Sequence, residues 1–302
     1  MTLRNEFART MERLAKVDKD LVVLVGDISH GIFRDFAQEN PMRYFNIGIC
    51  EPTIVSMSAG LSRIGMVPVA HTIAPFITER SFEQIKLGLG YQNLSANIVS
   101  VGGSFDYAQL GCSHHCYTDV ALLSHLKRAS VFLPSNLGEF DVLFSKSYRN
   151  GGINYFRLTE NAHGIHLPKL EPGRICKVRD GEDLTIVALG PQLKSAVAVA
   201  DFLLGEAISC DVLYVHTFKP LEMSEIEKSV KKTRRIVTLE ELSVSGGLYS
   251  VVISALAGRF LFESLQFAVG DFVRGYGTYS QMCERAGLGT AEVVSRIREL
   301  LI

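Results

Sequence analysis

Short apolar runs alternate with amphipathic segments in the first half of the chain. The helical patterns lie near residues 52–64, 79–91, 118–125 and 137–147. The runs with strand character are Leu21–Val25, Tyr44–Ile49, Val67–His71, Asn97–Val101, Ser130–Leu133 and Ile153–Leu158. This alternation predicts a mostly parallel sheet with helices on both faces.

A second alternating block follows a polar stretch, His163–Asp183, that has no periodicity and is typical of a linker. In this block the helices are predicted at 192–205, 223–231, 246–257 and 290–301. The strands are predicted at Leu184–Ala188, Cys210–His216, Arg235–Glu240 and Gln266–Val269. We therefore expect an α/β protein with two doubly wound domains, at 1–165 and 180–302, joined by a linker at 166–179.

Composition and charge exclude several classes of protein. Of the 302 residues, 47% are hydrophobic and 21% charged, which is ordinary for a globular protein, and the net charge of −1 gives no reason to expect nucleic acid or an anionic membrane as partner. No run approaches the roughly 18 apolar residues that span a bilayer. The N-terminal segment has helical spacing instead of the apolar core of a signal peptide. We expect a cytoplasmic protein.

The six cysteines predict no metal site. None forms a CxxC pair, and Cys112 and Cys116, which enclose His114 and His115, have no second cluster to complete four ligands. Phosphate-binding glycine motifs and the GxSxG elbow of hydrolases are also missing. Hence the chemistry has to be sought elsewhere in the chain.

Glu51 is the residue that best fits a chemical role. It ends the apolar run Tyr44–Ile49, and a helical pattern with Pro52 at its start follows directly. The carboxyl ends of strands are where ligands bind in open α/β sheets. Because its neighbours are apolar, we expect the carboxyl to be poorly solvated, and such a group can hold its proton and donate a hydrogen bond. From position alone, a simple helix cap at or just before the N-cap explains Glu51 equally well.

Seven collinear motifs resemble the C-terminal half of transketolases, in particular the separate C-terminal subunit of a split transketolase. This resemblance divides the chain into a pyrimidine-binding domain and a transketolase C-terminal domain. The motifs are Gly26-Asp27-Ile28-Ser29, Pro41-x-Arg43-x4-Gly48-Ile49-x-Glu51, Thr72-Ile73-x2-Phe76-x3-Arg80-x-Phe82-Glu83-Gln84-Ile85, Gly111-x-Ser113-His114-His115, Asp180-Gly181-x-Asp183-Leu184-Thr185-Ile186-Val187-Ala188-x-Gly190, Phe218-Lys219-Pro220-Leu221 and Glu240-Glu241-x4-Gly246-Gly247-Leu248.

The resemblance implies a thiamine diphosphate site. Glu51 matches the glutamate whose carboxyl hydrogen-bonds the aminopyrimidine ring of that cofactor and activates it. Phe76 matches an aromatic residue that stacks on the same ring, although a core phenylalanine is the alternative. Asp27 and Ile49 fall near the cofactor in this register, and Asp27 could equally be a helix or turn cap.

The same resemblance implies a carbohydrate substrate. His114 matches a histidine that contacts the sugar, and a neutral imidazole can exchange a proton with a hydroxyl. His115, His30 and Arg157 are further candidates for contact with the substrate, Arg157 through an anionic group. Two adjacent histidines on a surface loop would be the plain alternative.

Three departures from the family pattern concern the substrate. Gly102-Gly103 stands where the family has a Thr-His pair, and Gln109-Leu110 replaces acidic residues that read a sugar hydroxyl. Glu160 lies near the position of the arginine that grips a sugar phosphate, and a carboxylate repels such a dianion. We therefore expect a substrate other than the usual pair of sugar phosphates.

The resemblance also implies a partner chain. The family binds Mg²⁺ and the diphosphate through a GDG…N motif in its N-terminal domain, and this sequence has no match to it. An N-terminal transketolase subunit would supply that site in an α2β2 assembly, and this chain alone would be inactive. Two other interpretations stay open: the β subunit of a 2-oxo acid dehydrogenase or related decarboxylase, and a non-catalytic assembly subunit.

Overall fold

Two parallel-dominated sheets covered by helices organise residues 1–301, the part of the chain that the computed structural model describes. The strands are β1 (Leu21–Val25), β2 (Tyr44–Asn46), β3 (Val67–Ile73), β4 (Ala96–Val101), β5 (Ala129–Phe132), β6 (Ile153–Arg157), β7 (Cys176–Arg179), β8 (Leu184–Leu189), β9 (Cys210–Val215), β10 (Thr217–Lys219), β11 (Arg235–Ser243) and β12 (Glu263–Val269). The α-helices are α1 (Leu3–Val17), α2 (Arg34–Glu39), α3 (Glu51–Arg63), α4 (Ala74–Ile77), α5 (Phe82–Gln84), α6 (Asp119–Ser124), α7 (Glu139–Ser147), α8 (Leu193–Leu204), α9 (Ser224–Thr233), α10 (Leu248–Leu256), α11 (Tyr279–Arg285) and α12 (Thr290–Leu301).

The first sheet has the strand order β10-β5-β6-β4-β3-β1-β2. All neighbouring strands are parallel except the edge strand β10, which runs antiparallel to β5. Apolar side chains cover both faces of this sheet, and α1 packs on one face through Leu3, Phe7, Met11 and Leu14. β1, β3 and β4 are buried on both faces. β1 is a continuous apolar run, as is usual for such parallel strands, whereas β3 includes His71 and Thr72 and β4 includes Asn97 and Ser100.

The second sheet has the order β12-β11-β8-β9-β7, with β7 as an antiparallel edge strand. Together the two sheets confirm the predicted fold class of two doubly wound α/β domains. β10 lies in the second half of the sequence but completes the first sheet, and one apolar core contains Val131 and Leu133 of the first domain with Val215 and Phe218 of the second. The two domains thus share a continuous core.

Several predicted element boundaries differ from the structure. β2 ends at Asn46 instead of Ile49, and the helix predicted at 79–91 is a short α-helix that continues as a π-helix over Ile85–Tyr91. The predicted linker is not irregular throughout, because it contains β7. Helices α2 and α11 were not predicted; both are short, with six and seven residues. No helix within residues 1–301 has the length and apolar character needed to cross a membrane.

Candidate active site

Glu51 begins helix α3 at the end of the first sheet where strands β1, β2 and β3 also end. Cys50 is the N-cap, so Glu51 is the first helical residue and Pro52 the second; the prediction that Glu51 lies at or before the N-cap was wrong by one position. The cap interpretation also fails in its simple form, because no side-chain hydrogen bond caps this helix. Glu51 is 1% exposed, which confirms its expected poor solvation.

The surroundings of the Glu51 carboxyl are more polar than its neighbours in sequence indicate. The Thr72 hydroxyl, at the end of β3, donates to Oε1 at 3.4 Å. The guanidinium Nη1 of Arg80 donates to Oε2 at 3.3 Å from a side chain that is half exposed. The carboxyl is thus buried, and its cationic partner Arg80 lies between it and the solvent.

Phe76 and His114 contact each other, and Arg80 connects Phe76 to the Glu51 carboxyl. Their rings make an edge-to-face contact with centroids 5.2 Å apart, and His114 also approaches Tyr107 edge-on at 6.3 Å. The guanidinium carbon of Arg80 lies 4.3 Å from the centroid of the Phe76 ring, a cation–π distance. Arg80 therefore joins Glu51 and the two predicted aromatic contacts into one cluster.

The segment after β1 lies beside the end of β2, and its backbone conformation is unusual. Asp27 and Ser29 both have positive φ angles, of 55° and 60°. The amide of Asp27 donates to Oδ1 of Asn46, and Asn46 Nδ2 donates back to Asp27 Oδ1, each at 3.1 Å. The carboxylate of Asp27 is thereby held beside the end of β2, while His30 is exposed.

A buried histidine supports this strained segment. His71 Nδ1 lies 2.7 Å from the Val99 carbonyl and must donate to it, so Nε2 accepts from the Ser29 hydroxyl at 2.9 Å. Burial lowers the pKa of His71 to about 4, which keeps the imidazole neutral and this arrangement of protons fixed.

Two of the predicted substrate contacts are located elsewhere. His115 is 5% exposed and packs edge-on against Phe105, so it does not join His114 at the surface. Arg157 is also 5% exposed and is paired inside the chain: Nη1 lies 3.3 Å from Asp119 Oδ1 and Nη2 lies 3.9 Å from Glu241 Oε2. The expectation that Arg157 contacts an anionic ligand is corrected, because both of its charged partners are buried protein carboxylates.

Two family models match this chain. The family model for the transketolase pyrimidine-binding domain matches residues 1–164, and the model for the transketolase C-terminal domain matches residues 173–292. The chain belongs to the transketolase family.

The similar proteins include separate subunits of transketolases. The chain is 26% identical to the 6-deoxy-6-sulfo-D-fructose transketolase subunit SqwH of Clostridium sp., over 98% of this chain and 91% of that protein. It is 31% identical to one of the apulose-4-phosphate transketolase subunits of Phocaeicola vulgatus, over 84% of this chain and 83% of that one. A solved structure described as a split-gene transketolase, inactive β4 tetramer, is 30% identical with a TM-score of 0.90, covering 100% of this chain and 98% of that chain.

The glycine pair at the end of β4 has a structural cause in this transketolase-family chain. Gly102 has a φ of 74°, and a Cβ there would overlap the ring of Tyr107. A Cβ on Gly103 would overlap Nε of Arg157. A Thr-His pair does not fit this packing, because Tyr107 occupies the space at the threonine position and Arg157 the space at the histidine position.

Glu160 and Gln109, the other two departures, lie on a cleft between the domains. Glu160 is not a free carboxylate, because Arg4 Nη2 donates to its Oε1 at 2.7 Å and also hydrogen-bonds the Tyr107 hydroxyl. The cation nearest to this position therefore comes from helix α1, and it is already neutralised by Glu160.

Sequence reasoning missed the partners of the site residues. Arg80 and Thr72 lie inside one of the family motifs, which was the signal that could have singled them out. His71 and Asn46 carry no motif, and their roles depend on contacts with Ser29 and Asp27 that no local pattern predicts. Within residues 1–301 no group of three or more His, Cys, Asp or Glu side chains is arranged to hold a metal ion.

Proposed function

We propose that this chain is the C-terminal, pyrimidine-binding subunit of a thiamine diphosphate-dependent transketolase that transfers a two-carbon ketol unit. The observation that carries the proposal is the burial of Glu51 at the start of α3, with Arg80 connecting its carboxyl to the Phe76–His114 pair. A buried carboxyl can hydrogen-bond the aminopyrimidine without competition from water. Thiamine diphosphate, when bound, supplies the carbon nucleophile of the reaction.

The residues present fit the pyrimidine half of that cofactor. Glu51 provides the carboxyl, Phe76 an aromatic face, and Ile49, 74% exposed, an apolar surface that the cofactor or a partner would cover. The guanidinium of Arg80 covers one face of Phe76 in this chain. Stacking on that face would require Arg80 to move, which its half-exposed side chain permits.

The role of each residue follows from its position. Glu51 would bind and orient the aminopyrimidine, and Asp27, held by Asn46, would border the cofactor. His114, whose Nδ1 lies 3.0 Å from the Ser113 hydroxyl, would exchange protons with a sugar hydroxyl. His71 would act at a distance by holding Ser29, whose φ is positive, through its hydrogen bond to the Ser29 hydroxyl.

We further propose that an N-terminal transketolase subunit supplies Mg²⁺ and diphosphate binding, in an α2β2 assembly. The relatives named as subunits support this, and so does the split-gene relative, whose structure is described as an inactive β4 tetramer. The large exposed side chains near α3, among them Ile49, Ile64, Leu87 and Tyr91, offer apolar surface for such a partner.

We also propose that the substrates are not a standard pair of sugar phosphates. Near Glu160, where the family has an arginine that binds the sugar phosphate, Arg4 is paired with Glu160 and is not left as an unpaired cation. The names of two relatives support substrate variety in the family, since one is named for 6-deoxy-6-sulfo-D-fructose and another for apulose 4-phosphate.

The decisive experiment combines the chain with a candidate N-terminal subunit and measures ketol transfer and cofactor binding. Calorimetry of the chain alone and of the mixture should show binding of thiamine diphosphate and Mg²⁺ only in the mixture. Glu51→Gln should lower the turnover by about 10²–10⁴-fold, whereas the control Glu83→Gln, at an exposed position, should not.

The alternatives give different outcomes in the same assay. Release of CO2 from a 2-oxo acid would support a dehydrogenase or decarboxylase β subunit instead. Unchanged activity of the Glu51→Gln mixture would indicate an assembly subunit and would sink the proposal, as would tight cofactor binding by the chain alone.

A further inference from the structure

A segment of the second domain lies on the loop of the first domain that carries His114. This bridging segment, residues 270–277, leads from β12 to α11, and the His114 loop comprises residues 111–117. Val273 of the bridging segment is buried in the same apolar core as Phe105, which precedes the His114 loop. The two domains therefore meet next to a residue of the candidate active site.

One contact joins Tyr276 of the bridging segment to Gly111, the first residue of the His114 loop. A Cβ at Gly111 would lie 2.7 Å from Cε1 of Tyr276, closer than side chains pack. Gly111 also has a φ of 75°, in the region that favours glycine. The ring of Tyr276 thus lies directly on the backbone of a turn in which the His114 amide donates to the Gly111 carbonyl at 2.9 Å.

Tyr117, the last residue of the His114 loop, is held by the second domain as well. Its carbonyl accepts a hydrogen bond from the amide of Ser243, at the end of β11, at 2.9 Å. Its ring meets that of Phe272 edge-on, with centroids 6.5 Å apart. Both ends of the His114 loop are therefore attached to the second domain.

The bridging segment is itself anchored to helix α11. Nη1 of Arg285 donates to the carbonyls of Tyr276 and Arg274, at 3.2 and 3.4 Å. Gly275, between these two carbonyls, has a φ of 92°, and a Cβ there would lie 3.2 Å from the same Nη1. Although Tyr276 is 69% exposed, its backbone is therefore fixed where its ring meets Gly111.

We propose that Tyr276 is a positioning residue for His114 and that Phe272 supports the other end of the same loop. The ring of Tyr276 restricts the turn that precedes the histidine, and this keeps the imidazole edge-on to Phe76. A group that exchanges a proton with a substrate has to be held within about 0.5 Å of its productive place. The inference rests on the proposed role of His114, and it gives the second domain a part in the site.

Hydrogen exchange of the full chain, without partner or cofactor, tests the contact itself. Tyr276→Ala should speed the exchange of the His114 loop by about tenfold or more, because the turn then opens more easily. Tyr276→Phe should leave the exchange unchanged, since the contact with Gly111 is made by ring carbons. The matched control is Phe202→Ala, which removes an aromatic side chain of α8 that is 51% exposed and lies under Arg298. Wild-type exchange in Tyr276→Ala would overturn the inference.

Kinetics of the assembled enzyme test whether the contact acts through His114. Tyr276→Ala should lower kcat/KM by about 10–10²-fold, and Tyr276→Phe should retain the wild-type value. In an enzyme that already carries His114→Ala, Tyr276→Ala should change kcat/KM by less than about twofold, because the group that it positions is gone.

Two kinetic outcomes would overturn the inference. Equal losses from Tyr276→Ala in both backgrounds would indicate a general effect on the fold, and a Tyr276→Phe enzyme as slow as Tyr276→Ala would indicate chemistry by the hydroxyl. Failure of the proposed function would appear instead as absence of ketol transfer by the wild-type mixture, and the exchange experiment would then decide the inference. If Tyr276→Ala does not fold by circular dichroism, Phe272→Ala replaces it, with the same expected effects.

Discussion

Arg80 Nη1 lies 3.3 Å from Oε2 of Glu51, so the buried carboxyl of the candidate site is paired with a cation drawn from a different element. The sequence pattern around Glu51 predicts apolar surroundings, and Ile54 and Val55 are indeed buried, whereas Ile49 is exposed. The carboxyl nevertheless pairs with the guanidinium of Arg80, which is 29 residues further along the chain.

This pairing should be measurable as a coupling energy. Arg80→Met should lower the free energy of unfolding by about 1 kcal/mol, and by less when Glu51 is already Gln, because the half-exposed guanidinium then has no charge to neutralise. Urea unfolding of the wild type, the two single variants and the double variant gives the coupling. Arg63→Met, at the exposed end of α3, is the control. Additivity of the two changes would contradict the pairing.

Gly103 should tolerate no side chain. A Cβ at this buried position would overlap Nε of Arg157, so Gly103→Ala forces the strand end and the guanidinium apart and should destabilise the chain by about 2 kcal/mol or more. Gly60→Ala is the matched control, since a Cβ there meets nothing within 4 Å on helix α3. That change should stabilise by about 0.5–1 kcal/mol. Equal effects of the two changes in thermal unfolding would refute the packing argument.

Arg157 should be needed to hold the domains together. It links Asp119 of the first domain to Glu241 of the second, and removing it leaves two buried carboxylates without their cation. Arg157→Met should cost about 3–5 kcal/mol of unfolding free energy. The exposed Arg174, 3.8 Å from Glu222, gives the comparison, and Arg174→Met should change stability by less than about 0.5 kcal/mol. A small effect at Arg157 would show that the interface depends on its apolar core alone.

The predictable parts of the molecule are those that local pattern determines. The α/β alternation, the amphipathic face of α1 and the place of Glu51 between a strand and a helix all follow from spacing within a few residues. His115 could not be assigned to the interior in this way, because it lies in an irregular loop where no period tells one face from the other. Strands β7 and β10 have only four and three residues, and their pairing joins segments that are distant in sequence.

The same limit applies to Arg157, on a strand buried on both faces. Its place three residues before Glu160, near the position of the family's phosphate-binding arginine, indicates a site residue, but only the fold brings Asp119 and Glu241 to its guanidinium. The glycine pair gives the clearest case. The sequence indicates only that a substrate histidine is missing. The structure shows why glycines are needed, because Tyr107 and Arg157 fill the space that side chains at Gly102 and Gly103 would occupy.

Asp106 should make the stability of the chain depend on pH. Burial, with a contribution from Glu241, raises its pKa from 3.8 to about 7. Between these two values the folded chain holds a proton that the unfolded chain has lost, so this group stabilises the fold at low pH and the stabilisation is lost as pH rises toward 7. Relative to Asp106→Asn, the wild type should therefore lose about 2 kcal/mol of unfolding free energy from pH 5 to pH 7.

Urea titrations of both proteins at half-unit steps of pH measure this difference directly. Asp35→Asn, at an exposed position of α2, controls for the removal of one carboxylate, and its difference from the wild type should stay flat over the same range. If the wild type instead gains stability relative to Asp106→Asn as pH rises, the prediction is contradicted. Such a gain would mean that the three donors around Asp106 stabilise the ionised carboxylate more than burial penalises it.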